Sequence, residues 1–240
     1  MVRELEALGI EAETYDFEPL DAMRRAIARR TSESFRDTPH FPLMMKIEVD
    51  ALQARRAAFN EPNGVRCSLN DVLIKAAGLA LVAVPAANAS YTSKGLIRHR
   101  HADIAVAVAV DGGLVTPILR RAEEKGLAEL SAEMRELAQR GREKQLMPAE
   151  YVGGTFSISN LGMFGVSSFG SVLNPPHGCI LSVGEASRQF RFRGDEPYAA
   201  AVLDVTLTCD HRVVDGAVGA LWLQAFRRLI EAPESWIELA

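Results

Sequence analysis

The sequence predicts an α/β fold of the α+β kind, in which helices are mixed with a largely antiparallel sheet. Three observations predict it. Residues 201–209 alternate, with Ala201, Leu203, Val205, Leu207 and Cys209 on one face and Asp204, Thr206 and Thr208 on the other, the period of a half-buried strand. Directly after it, Val218, Leu221, Trp222, Ala225, Phe226 and Leu229 recur at helical spacing. Two tight turns, Asp111-Gly112-Gly113 and Gly194-Asp195, stand between apolar or alternating runs, and connections that short join antiparallel neighbours.

The elements follow in order. Residues 1–17 have weak periodicity and are expected to form an arm (1–18 in all), with one domain over 19–240. Pro19 and Asp21 open a helix with Leu20, Met23, Ile27 and Thr31 on one side and Arg24, Arg25, Arg29 and Arg30 around it. Residues 40–49 read as a strand. Asp50 is expected to cap a short helix ending at Phe59, and Glu61-Pro62-Asn63-Gly64 to make a turn. Ser68 with Asp71 approximates a capping box for a helix burying Leu69, Val72, Leu73, Ala76, Ala77, Ala80 and Leu81, which Pro85 ends. Residues 102–110 and 114–119 form the arms of the Asp-Gly hairpin. Leu127, Leu130, Met134 and Leu137 stripe a further helix. Strands are expected at 153–159, 166–173 and 179–183, and the last of these leads through the Gly194-Asp195 turn to the alternating strand.

Composition narrows the function. The chain has 240 residues, 48% of them hydrophobic, enough for one large core without a linker. Net charge is -4 and no dense basic run appears, which argues against nucleic acid as a partner. No apolar segment is long enough to span a bilayer, and residues 1–13 resemble neither a signal nor a transit peptide. Cys67, Cys179 and Cys209 lack metal-type spacing and read as buried thiols of a reducing compartment, the bacterial cytoplasm or the mitochondrial matrix. His99 and His101 could share a strand face suited to a metal, but the sequence offers no third ligand, and they read as surface residues. His177 reads as a structural turn histidine.

The chemistry-bearing stretch is Asp210-His211-Arg212-Val213-Val214-Asp215-Gly216, a short turn between a strand and a helix. A neutral imidazole is the usual general base near neutral pH. Asp215, four residues on, could reach back to fix the ring or hold a cation, and Gly216 permits a backbone angle or a close approach. A purely structural histidine, with Asp215 capping the following helix, explains the same residues, and residue types alone favour it.

A wider match reverses that preference. His211-Arg212-Val213-Val214-Asp215-Gly216, the block Gly154-Thr155-Phe156-Ser157-Ile158-Ser159-Asn160-Leu161-Gly162-Met163-Phe164-Gly165 with the later Asn174-Pro175-Pro176, and Met23-Arg24-Arg25-Ala26-Ile27-Ala28-Arg29-Arg30 occur in that relation along the chain. Together they resemble the catalytic domain of dihydrolipoyl acyltransferases, the core components of 2-oxo acid dehydrogenase complexes, within the chloramphenicol acetyltransferase-like superfamily. The resemblance implies a two-layer sandwich with a mixed, largely antiparallel sheet. It also implies transfer of an acyl group between coenzyme A and the dihydrolipoyl thiol, acetyl in view of the Asn160 to Gly165 block, which is closest to the pyruvate dehydrogenase branch.

By the same resemblance His211 is the general base, Ser159 the hydroxyl that steadies the oxyanion, and Asp215 the residue that orients loop and ring. Ser157 shares a strand face with Ser159, so that choice comes from the motif. Arg24 is the candidate cation for Asp215, with Asn160 and Gly216 as support. No metal or covalent enzyme intermediate is required. Relatives place the site between the subunits of a trimer, with coenzyme A and the lipoyl arm entering from opposite ends. Trimers can build a cage through C-terminal contacts with other complex subunits around it. Here Trp236, Ile237 and Leu239 are apolar but Glu238 and Ala240 are more polar than the family's usual ending. No lipoyl or partner-binding domain is evident, so the lipoyl donor is expected on another protein or domain. Two other readings fit the scaffold: acylation of a non-lipoyl amine, alcohol or antibiotic, and a non-catalytic structural core subunit.

Overall fold

The structure is a computed structural model that describes residues 6–11, 14–63 and 66–238. Its centre is a six-stranded mixed sheet built from β1 (His40–Glu48), β4 (Ile104–Val106), β7 (Ile118–Leu119), β8 (Phe156–Asn160), β9 (Cys179–Arg193) and β10 (Glu196–Asp210). The order is β1-β10-β9-β8-β4-β7. The pairs β1/β10, β10/β9 and β4/β7 are antiparallel, whereas β8 runs parallel to both β9 and β4. Two small hairpins complete the strands, β2 (Ala89–Thr92) with β3 (Gly95–Arg98) and β5 (Val108–Val110) with β6 (Gly113–Val115). The Asp111-Gly112 turn therefore does join antiparallel strands, but its two arms divide between this hairpin and the main sheet.

The helices are α1 (Ala22–Asp37), α2 (Asp50–Asn63), α3 (Leu69–Ala83), α4 (Leu127–Arg142), the short α5 (Pro148–Tyr151) and α6 (Gly216–Glu231). The apolar faces of α3, α4 and α6 meet the odd-numbered face of β10 in one core. Trp222 is its centre, fully buried, 5.0 Å from the Phe156 ring and stacked on Phe226 at 5.2 Å. Burying aromatic side chains of this size dominates a core's energetics. Ser68 and Asp71 form a complete capping box, and Asp71 also accepts from Ser131 of α4 at 2.9 Å, tying two helices at a buried point.

Four expectations are corrected. Thr206 and Thr208 are as buried as their apolar neighbours, so β10 is covered on both faces. The cover is the segment 166–175, expected as a strand at 166–173 but carrying no strand ladder. Side chains hold much of it: Ser34 donates to the Leu173 carbonyl (2.6 Å), the Leu173 N–H donates to His40 Nε2 (2.9 Å), and Ser171 meets Ser182 (2.7 Å), while the Val166 carbonyl accepts the Glu185 N–H (2.8 Å). Gly184 makes this crossing possible, because a Cβ there would lie 1.9 Å from the Ser167 carbonyl oxygen.

Asp50 opens α2 without capping it. Its carboxylate accepts the Ala201 N–H (2.7 Å) and faces Arg188 (3.2 Å). Nor does α2 stop at Phe59; it continues to Asn63, and Gly64 lies outside the described residues. The chain reversal is held by Asn60, which brackets the backbone N–H and C=O of Cys67 at 3.0 Å each.

Among the described residues no helix is long and apolar enough to cross a membrane. Trp236 and Ile237 fold back onto this chain, Trp236 Nε1 donating to the Leu229 carbonyl and the Ile237 carbonyl accepting from Arg55. Leu239 and Ala240 lie outside the described residues.

Candidate active site

The turn after β10 is fixed from beneath. Asp210, nearly buried, accepts from Arg212 Nε (2.9 Å) and Nη2 (2.8 Å) and from the Arg212 backbone N–H (3.1 Å). The Arg212 guanidinium also donates to the Asp37 carbonyl (3.0 Å) and lies 4.0 Å over the Tyr91 ring. The Val213 and Val214 N–H groups donate to the Asp210 carbonyl, and the His211 N–H to that of Pro39, all at 3.0 Å. The motif's outer residues thus lock the turn, and the imidazole between them projects outward.

The bond to Asp210 raises the Arg212 pKa above its ordinary value. Breaking the pair leaves a carboxylate buried without its cation. We expect Arg212→Met to destabilise the fold by about 2 to 3 kcal/mol in denaturant unfolding, less than a fully buried pair because the guanidinium is partly exposed.

The His211 side chain is exposed, and among the described residues its ring nitrogens carry no hydrogen bond. Its one ring contact is edge-on with Phe41, centroids 4.7 Å apart at 88°. Asp215 does not reach it. Asp215 is the N-cap of α6, accepting the Val218 N–H at 2.9 Å, as the structural reading expects. Arg24 is exposed at the start of α1 and has no ion pair with Asp215 among the described residues.

Ser159 lies at the partly exposed end of β8 on the wall of a cavity of about 780 Å³, between the sheet, α1 and the 169–175 segment. Ser157 and Arg212 share that wall, while His211 and Asp215 are absent from it. The structure separates the two serines, which the sequence could not. Ser157 is buried and bonded to His177 Nδ1 (2.6 Å), whereas the Ser159 hydroxyl has no partner among the described residues. Asn160 holds the following turn, accepting the Gly162 N–H (2.9 Å) and donating to Asn70 (3.2 Å).

His177 is structural as expected, and buried. Its Nε2–H donates to the Gly153 carbonyl (2.7 Å), and in the neutral ring Nδ1 accepts from the Ser157 hydroxyl (2.6 Å). Desolvation lowers its pKa below the ordinary 6.5. The unfolded chain then takes up the proton first. The stability held above about pH 6.5 is therefore lost as pH falls toward the folded value, by at most about 1.4 kcal/mol per pH unit. His177→Gln is expected to flatten that part of the unfolding free energy measured against pH.

The other polar expectations divide. His99 is half-buried against Ser90 (2.8 Å), and burial lowers its pKa. His101 faces Glu123 (3.0 Å) and Glu124 (3.3 Å), carboxylates that spacing did not connect to it. The two histidines do not act as a pair. Cys179 and Cys209 face each other across β9 and β10, sulfurs 3.7 Å apart and fully buried. The bond to the neighbouring Cys209 thiol, with burial, holds Cys179 well above its ordinary pKa, and burial raises that of Cys67 to about 11. Sequence reasoning missed Phe41, Tyr91 and the pairing of Asp210 with Arg212. Only the last had a local signal, an acid two residues before an arginine.

Residues 12–238 match the family described as 2-oxoacid dehydrogenases acyltransferase (catalytic domain), and the chain belongs to that family. The dihydrolipoyllysine-residue acetyltransferase component of the pyruvate dehydrogenase complex of Rhizobium meliloti (strain 1021) is 47% identical over 93% of this chain and 52% of its own length. The chain spans about half the length of the curated relatives it matches. The Azotobacter vinelandii dihydrolipoamide acetyltransferase superposes with TM-score 0.88 at 30% identity, over 93% of this chain and 95% of that one. The catalytic roles studied in that enzyme are those of a serine, a histidine 52 residues later and an asparagine four further on. A chloramphenicol acetyltransferase shares the fold alone, with TM-score 0.53 at 12% identity over 89% of this chain and 99% of its own.

Proposed function

We propose that the chain is an acetyltransferase that moves an acetyl group between coenzyme A and a dihydrolipoyl thiol of a pyruvate dehydrogenase complex. The observation that carries this is the His211 imidazole: exposed, without a hydrogen bond among the described residues, on a turn locked by Asp210 and Arg212. The separations of Ser159, His211 and Asp215 support it, because they equal those of the serine, histidine and asparagine of the Azotobacter enzyme. Aspartate here against asparagine there fits the cap seen at Asp215, since either side chain accepts an N–H at a helix start.

In the forward step His211 takes the proton of the attacking thiol as its sulfur adds to the thioester carbonyl. The Ser159 hydroxyl donates to the oxygen that gains the charge. Collapse of that intermediate breaks the original carbon–sulfur bond, and the departing thiolate recovers the proton from the imidazolium. His211 is off the cavity wall that holds Ser159, which supports a site completed by a second copy; the homotrimer is the arrangement that the family resemblance implies. The lipoyl group belongs to a separate domain. Trp236 and Ile237 are engaged within their own chain, which leaves less apolar tail for cage contacts. The bacterial cytoplasm is the proposed location, which suits three buried free thiols.

The direct test is acetyl transfer from acetyl-CoA to free dihydrolipoamide. Transfer supports the assignment. If dihydrolipoamide is inert while an amine, alcohol or antibiotic is acetylated, the non-lipoyl reading replaces it.

A further inference from the structure

We propose that Phe41 is a positioning residue for the imidazole of His211, and that position 216 is glycine so that Phe41 can occupy its place. The proposal rests on the acyl-transfer reading above. Phe41 stands on β1 directly opposite Cys209 of β10, two residues before His211. The Pro39 carbonyl, two residues before Phe41, receives the His211 N–H. β1 thus holds the histidine's backbone at Pro39 and meets its ring at Phe41, 4.7 Å away and edge-on. Aromatic pairs favour this T-shaped arrangement. It is the ring's one aromatic pair, and among the described residues the ring makes no hydrogen bond or ion pair, Asp215 being bound to the Val218 N–H instead.

Gly216 completes the arrangement. It does not carry the left-handed backbone angle that requires glycine, so close approach is the reason for it. A Cβ at 216 would lie 3.3 Å from Phe41 Cε1 and 3.6 Å from Cζ, and the phenyl ring would have to move. A shift of even a few tenths of an ångström alters its edge-on contact with the imidazole. A general base must present its lone pair to the thiol within a narrow range of angles. An exposed imidazole with no hydrogen bond depends on such packing to hold one orientation.

The experiment uses the whole chain in its native assembly, with four variants. Phe41→Leu is expected to lower kcat for acetyl transfer about three- to ten-fold, the rate equivalent of one aromatic pair. KM for acetyl-CoA and for dihydrolipoamide should change by less than about two-fold. Phe41→Tyr should recover the rate. Gly216→Ala should reproduce the kcat loss, and the Phe41→Leu/Gly216→Ala double variant should lose no more than the larger single effect, because both act on one contact.

Crystal structures of wild type and Phe41→Leu provide a reading independent of activity: one imidazole orientation with the phenyl ring, several without it. A wild-type kcat in Phe41→Leu, or a single unchanged orientation in its crystal, overturns the proposal while leaving the acyl-transfer reading intact. Absence of transfer by wild type removes that reading instead, and the crystal comparison still decides whether Phe41 orients the ring. Should Phe41→Leu not fold by circular dichroism, Gly216→Ala and Phe41→Tyr settle the matter.

Discussion

His211→Ala is expected to lower acetyl transfer from acetyl-CoA to dihydrolipoamide by about a hundred- to ten-thousand-fold, the range over which a positioned general base acts. The measurement is steady-state kcat and kcat/KM for both substrates. The loss should fall on kcat, because the imidazole handles a proton in the transition state and adds little to ground-state binding. Stability should hardly change. The side chain is exposed and, among the described residues, makes no hydrogen bond, and surface substitutions of that kind shift unfolding by about 0.5 kcal/mol or less. Arg212→Met provides the contrast, since it should reduce stability by weakening the turn from below. A His211→Ala protein that keeps the wild-type rate would remove the base from the mechanism, and with it the main support for catalysis.

How much of this was legible beforehand follows from what each feature depends on. The strand before His211, the helix after it and the capping box at Ser68 depend on residues a few positions apart, and local periodicity displays them. The burial of Thr206 and Thr208 does not. It depends on a segment some 35 residues earlier in the chain crossing the sheet, anchored by Ser34 and His40 from a third region. Read by itself, β10 is half-buried, and nothing within it signals the cover. The same limit applies to the site. The motif points to Ser159 where periodicity could not choose it from Ser157. The physical distinction, a hydroxyl already bonded to His177 against one left free on a cavity wall, exists only after residues 157 and 177 have come together. Asp215 shows the reverse case. Its spacing suited both an orienting role and a cap, and the 2.9 Å bond from the Val218 N–H shows the cap.

That distinction between serines makes the second large prediction sharp. Ser159→Ala is expected to reduce kcat by about a hundred- to a thousand-fold, roughly 3 kcal/mol of barrier, as the loss of one preorganised oxyanion donor does. Its stability should stay near wild type, because no partner among the described residues loses a bond. Ser157→Ala, two residues away on the same strand face, should behave oppositely. It leaves the buried Nδ1 of His177 without a donor, an effect of about 1 to 3 kcal/mol on unfolding, and should leave kcat largely intact. Rates and unfolding free energies of the two variants, compared side by side, separate a catalytic hydroxyl from a structural one. Mixing His211→Ala chains with Ser159→Ala chains adds a geometric test. If each site combines a histidine from one copy with a serine from another, reassembled hybrids regain part of the activity that both parents lack; if both groups come from the same copy, no mixture does. In hybrids of three subunits, some interfaces pair the intact histidine of one chain with the intact serine of its neighbour. Recovery at those interfaces would place the two groups in different chains by their chemistry alone.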